Sequence, residues 1–230
     1  MSKMPSPSSG YATTSIGQLI FIPAVITLAI TLLRLVGELL HWPRALFNPD
    51  PGGPGALVGI SWLPLVFGIY FAIKLIEAGA GPASPLRALL HVIVGAAVGI
   101  LGSFALAKFL PSFYGQLIGV CVMFPVAAAI QYPAWPALSK TLLAYALAAR
   151  IPVAILMYLA MRGLWGTHYD AVPPEAPENL HAQFWPKYLW LALLPQLTVW
   201  IGLTVLAGSL TGSITALVKR RKPAEQAASA

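Results

Sequence analysis

The chain has 230 residues, of which 58% are hydrophobic and only 9% charged, and it carries a formal net charge of +7. A water-facing domain cannot clothe its surface with so few charges, which excludes a soluble enzyme and a soluble nucleic-acid-binding protein despite the basic surplus. A bilayer core about 30 Å thick instead selects runs of about 20 apolar residues, and six such runs fill most of the sequence.

The first fifteen residues are rich in Ser, Pro and Gly and lack the basic start of a secretory signal. They read as a flexible cytoplasmic tail ahead of a first span that is retained. The predicted spans are Ile16 to Leu40, Leu57 to Leu75, Leu86 to Leu110, Tyr114 to Gln131, Thr141 to Met161 and Tyr188 to Leu210. Continuous apolar runs, together with the demand of lipid for internally satisfied backbone groups, favour helices over strands. The expected fold is an all-α, polytopic transmembrane bundle over residues 16–218, followed by a basic and then disordered cytoplasmic tail over 219–230.

In the first span Arg34 and Glu38 stand four apart on one helix face, which predicts an internal ion pair, and His41 extends the polar stripe. The connection from Trp42 to Gly55 is a stiff, turn-rich segment of Pro, Gly, Asn and Asp. The second span contains Pro64 and closes near Glu77. The third carries His91 and the small residues Gly95, Gly99 and Ser103. The fourth carries Gly115, Gly119, the single cysteine Cys121 and Pro125. Small residues four apart let helices approach closely, within one chain or in a homodimer or larger membrane complex.

The fifth span holds the most unusual residue, Arg150, directly before Ile151 and Pro152. A guanidinium at such depth costs between about 3 and 17 kcal/mol unless it snorkels or is paired. Glu77, or carbonyls released by Pro152, are the expected partners, with the side chain leaning toward the cytoplasmic face. Between the fifth and sixth spans a long outer connection presents His168, Asp170 and His181. No metal-ligand spacing accompanies them, so a lid over the outer face is expected, with no metal and no cofactor. The sixth span adds Pro195, Gln196, Gly208 and Gly212. Gln196 and His91 are expected to make interhelical hydrogen bonds.

Pro23, Pro64, Pro125, Pro152 and Pro195 each fall inside a different span and are expected to kink it, as hinges or cavity formers do. Span two (Pro64, Tyr70, Ala72, Lys74) and span five (Pro152, Tyr158, Ala160, Arg162) share a spacing that would fit an inverted repeat, but the match extends to no other pair of spans.

The basic residues orient the bundle. With both termini inside, Lys3, Lys74, Arg87, Lys140 and the run Lys219, Arg220, Arg221, Lys222 face the cytoplasm, against Arg44, Lys108, Arg162 and Lys187 outside. No nucleotide-binding loop, nucleophile elbow or zinc-protease motif is present, which weighs against an enzyme. The leading expectation is a small transporter or channel-like carrier of a bacterial-type inner (plasma) membrane, with an intramembrane polar site around Arg150. The alternatives are a non-catalytic subunit or assembly factor of a larger membrane complex, and an embedded enzyme acting on lipid-linked substrate through His168, Asp170 and Arg162.

Overall fold

A computed structural model describes residues 15–52 and 56–228, with side chains described through Lys219. The expected tail before Ser15, the turn residues Gly53, Pro54 and Gly55, and the side chains of Arg220, Arg221 and Lys222 lie outside the described residues. The described chain is all helical. Its main elements are α1 (Ile16–Leu39), α2 (Leu63–Glu77), α3 (Pro85–Phe109), α4 (Phe113–Ala129), α5 (Pro136–Gly163) and the short α6 (Glu178–Ala182). A last stretch, α7, passes through Phe184–Lys187, a π-helical turn at Tyr188–Leu193, Leu194–Leu197 and finally Val199–Ala228.

Local chemistry sets these boundaries. Ser15, Ser84 and Ser112 accept hydrogen bonds from the first turns of α1, α3 and α4, and Ser15 forms a reciprocal capping box with Gln18. Pro85 and Pro136 occupy the first turns of α3 and α5, where a missing N–H costs nothing. Pro64 does the same for α2. It therefore starts a helix where the sequence suggested a kink inside one, while Pro23, Pro125 and Pro152 do lie within α1, α4 and α5. Pro64 and Pro152 are thus not equivalent, which removes the structural basis of the inverted repeat. Pro195 breaks α7: it lacks the donor due to Leu191, and the ladder widens into the π-helical turn directly before it. A second interruption follows at Thr198, where φ is −123° and ψ is −72°.

Among the described residues four helices are long and apolar enough to cross a membrane: α1, α3, α5 and the Phe184–Lys219 part of α7. Two of the six expected spans, α2 and α4, fall below that length. At 1.5 Å per residue the 15 residues of α2 reach about 22 Å and the 17 of α4 about 25 Å, short of a 30 Å core.

Helix α7 is the hub, packing against α2, α3, α4 and α5, while α1 packs on α5. The glycines permit this closeness. A Cβ on Gly68 of α2 would collide with the Gly208 carbonyl of α7, one on Gly202 with the Phe124 carbonyl of α4, and one on Gly212 with Leu138 of α5. These contacts use the small residues within one copy of the chain. The buried centre is aromatic: Tyr145 lies edge-on to Phe67 and Phe71 at centroid distances of 5.4 and 5.6 Å, and its hydroxyl meets Thr27 Oγ1 at 2.8 Å. The outer surface stays apolar, with Leu101 and Phe104 of α3 about two-thirds exposed, as a lipid-facing helix requires.

Contacts divide the connections into two sets. Trp135 donates to the Ala80 carbonyl at 2.8 Å, and Lys219 reaches Glu77 at 3.3 Å, joining the α2–α3 and α4–α5 turns to the far part of α7. On the other side Tyr114 and Asn179 hydrogen-bond at 2.8 Å, and His168 reaches Glu38.

Candidate functional site

Two constellations meet beneath the α1–α2 and α5–α6 connections. The first centres on Glu38, whose side chain is fully buried near the end of α1. Arg34, one turn earlier, donates from Nε to Oε1 at 2.8 Å, so the pair expected from the sequence is formed. Arg34 Nη2 also donates to the Asn48 carbonyl at 3.1 Å. From the other connection, the His168 backbone N–H donates to Oε2 at 2.9 Å, and His168 Nδ1 lies 2.6 Å from Oε1. One carboxylate thereby ties α1 and both connections together. Next to it, the Tyr169 hydroxyl donates to the Thr31 carbonyl at 3.2 Å.

The buried setting of His168 favours the neutral imidazole. Burial pushes it below its ordinary value and the Arg34 charge acts in the same direction, outweighing the Glu38 hydrogen bond that raises it. Since Arg34 already neutralises Glu38, a second cation there would be buried without compensation. Burial likewise pushes the Tyr169 phenol up. Asp170 shapes the turn that presents His168. Its carboxylate accepts from the Gly166 and Thr167 backbone N–H groups at 2.9 and 2.8 Å and from the Thr167 hydroxyl at 2.7 Å.

The second constellation surrounds Arg150. Because α5 starts at Pro136, Arg150 lies about 21 Å along the helix, deeper than expected from a span beginning at Thr141. It is 4% exposed. Its guanidinium lies over the Trp200 ring, 4.7 Å from the centroid, while Nε is buried without a hydrogen-bond partner in the chain. The expected partner is elsewhere: Glu77 is exposed on the opposite side, paired with Lys74 at 3.4 Å and Lys219 at 3.3 Å. Gln196 does not form the expected interhelical pairing on both atoms either. Its Nε2 approaches Met157 Sδ at 3.6 Å, and its Oε1 is buried and unpaired. The His91 side chain does not make the expected interhelical bond: Nδ1 meets the Arg87 carbonyl one turn back in α3 at 2.8 Å, and the residue lies apart from the site.

A cavity of about 240 Å³ joins the two constellations. Arg34, Arg150, His168 and Gln196 line it together with Thr31 and Ser61. Ile60, Val153, Met157, Leu191 and Trp200 supply its apolar wall, and Gly52, Ala171 and Pro173 bring in the connections. It therefore runs from exposed Gly52 down to Arg150, on the His168 side and away from Glu77. Glu77 and Asp170 take no part in the lining. Of the proline positions, Pro195 and Pro152 adjoin cavity residues, while Pro64 and Pro125 do not line it.

Trp200, Tyr169, Thr31 and Ser61 also belong to the site, although the sequence does not single them out. Trp200 stands four residues after Gln196 in the sequence, a spacing that could have pointed to it; nothing in the sequence pairs Tyr169 with Thr31. Among the described residues no group of three or more His, Cys, Asp or Glu could hold a metal ion. No family model, no curated protein and no solved structure matches this chain.

Proposed function

We propose that the chain is a six-pass plasma-membrane carrier for a small anionic solute, with both ends cytoplasmic and a binding site at Arg150 that opens toward the outer side. The observation that carries this reading is the buried Arg150 guanidinium, with Nε unpartnered in the chain and no carboxylate beside it, at the deep end of a cavity bounded by the α1–α2 and α5–α6 connections. A cation placed that deep without a carboxylate partner is costly, and binding an anion offsets the cost. Helix α7 supports the same reading, since it is interrupted between Gln196 and Trp200, both of which line the cavity, and broken helices beside a mid-membrane site are the usual architecture of carriers. The grouping of the connections into two opposed sets supports six passes, with α2 and α4 as short spans.

The test is flux into proteoliposomes across a panel of small anions, comparing the parent with Arg150→Ala. Loss of flux in the variant is expected, and equal fluxes would remove Arg150 from the mechanism. An embedded acid–base enzyme is the second reading, favoured by the Glu38–His168 contact, which orients a neutral imidazole at the cavity wall. It requires His168→Gln to abolish turnover of a lipid-linked substrate, whereas the carrier reading stands or falls on Arg150.

A further inference from the structure

The cavity's lining specifies its occupant more narrowly than "anion". Resting on the carrier reading, we infer that the ligand is a small organic monoanion, a hydroxycarboxylate with an apolar body, and not inorganic phosphate or a lipid headgroup. Three observations lead there. The first is charge: two guanidiniums line the cavity, no carboxylate does, and Arg34 is already matched by Glu38 at 2.8 Å. With His168 neutral, one positive charge remains, on Arg150. One carboxylate balances it, while a phosphate dianion would leave a buried excess of negative charge.

The second observation is the wall. Val153, Met157 and Leu191 face the same space as the Trp200 ring that backs the guanidinium. A carboxylate on Arg150 thus has apolar surface beside it, where a fully polar ion would strand its remaining oxygens. A cavity of about 240 Å³ is of the size that receives a small organic acid.

The third is hydrogen bonding. Arg150 Nε is a buried donor and Gln196 Oε1 a buried acceptor, and both residues line this one cavity without using those atoms elsewhere. A turn of either side chain brings these atoms into the cavity, where a donor and an acceptor answer to a carboxylate with a neighbouring hydroxyl. An amino acid offers the same pattern, but its ammonium would face the excess positive charge.

Calorimetric titration of the full chain in lipid nanodiscs, with mandelate, phenylacetate, phenylglycine and inorganic phosphate as probes, tests the inference. Mandelate is expected to bind, phenylacetate about tenfold more weakly for want of the hydroxyl, phenylglycine more weakly still, and phosphate without saturation. Gln196→Leu should equalise mandelate and phenylacetate, a readout that survives if Arg150→Gln, expected to abolish both, fails to fold. Saturable phosphate binding, equal affinity of mandelate and phenylacetate in the parent, or silence of all four probes would overturn it. Mandelate binding without mandelate flux in proteoliposomes would sink the carrier reading and leave the ligand class standing; phosphate flux alone would do the reverse.

Discussion

Glu38→Gln is a change of one atom, yet the geometry makes it severe. Oε1 accepts from Arg34 Nε at 2.8 Å and faces His168 Nδ1 at 2.6 Å, while Oε2 accepts from the His168 backbone N–H at 2.9 Å. A glutamine amide keeps one acceptor. If its oxygen takes the Oε1 position, its NH₂ confronts the His168 backbone donor; if it flips, the NH₂ confronts Arg34 Nε. Either way a donor meets a donor in a buried site, and Arg34 loses its carboxylate. Removing one partner of a buried pair destabilises by about 3–5 kcal/mol, and Glu38 with no exposed side-chain surface belongs to that class. Denaturant unfolding in mixed micelles, followed by Trp fluorescence, measures the change; Glu77→Gln, which disturbs only an exposed pair, serves as the control and should leave the midpoint in place. A loss below about 1 kcal/mol for Glu38→Gln would refute the clamp, since that is the scale of a single neutral hydrogen bond.

Three further outcomes follow from the same contacts. Arg150→Met should raise stability by about 1–4 kcal/mol, because it replaces an unpaired buried charge by an apolar chain of similar length, while abolishing flux; a destabilised Arg150→Met would mark the arginine as structural. Acidification should weaken the fold: the folded His168 value lies below its ordinary 6.5, so the unfolded chain takes up the proton first, and the stabilisation present above about pH 6.5 is lost as pH falls toward the folded value. Melting midpoints of parent and His168→Gln across pH 5–8 check this, the parent alone losing stability on the acid side. Gly68→Ala should destabilise by about 1–3 kcal/mol, measured by the same unfolding assay, because its Cβ meets the Gly208 backbone and neither helix can yield locally.

What the sequence reveals divides by distance along the chain. The apolar runs, the serine caps and the Arg34–Glu38 pair are local, decided within a turn or two of helix, and all are readable from spacing. Pro64 misleads because an apolar run does not show where its helix begins: Leu57 to Trp62 are mostly apolar too, yet the first helical residue is Leu63. The partner of Glu38 is 130 residues away and invisible to any periodicity. The same holds for Arg150. Its depth announces a need for compensation, and Glu77 is the nearest acidic residue by topology, but the positions of Lys74 and Lys219 give Glu77 two cations at the other end of the bundle.

The unequal treatment of Arg34 and Arg150, the two arginines of the cavity, is the strongest argument that one of them serves a ligand. Glu38 is the only buried carboxylate among the described residues, and the fold places it against Arg34 and His168, where three donors converge on two oxygens. Arg150 is as deeply buried and receives only the face of Trp200. A bundle selected for stability alone would place an apolar side chain at position 150, as it does at Val153 and Ala154 on the following turn. Keeping a charge there, at the end of a cavity that begins at an exposed turn and that Gln196 also lines, is a local sacrifice of stability, and such sacrifices concentrate where a protein binds.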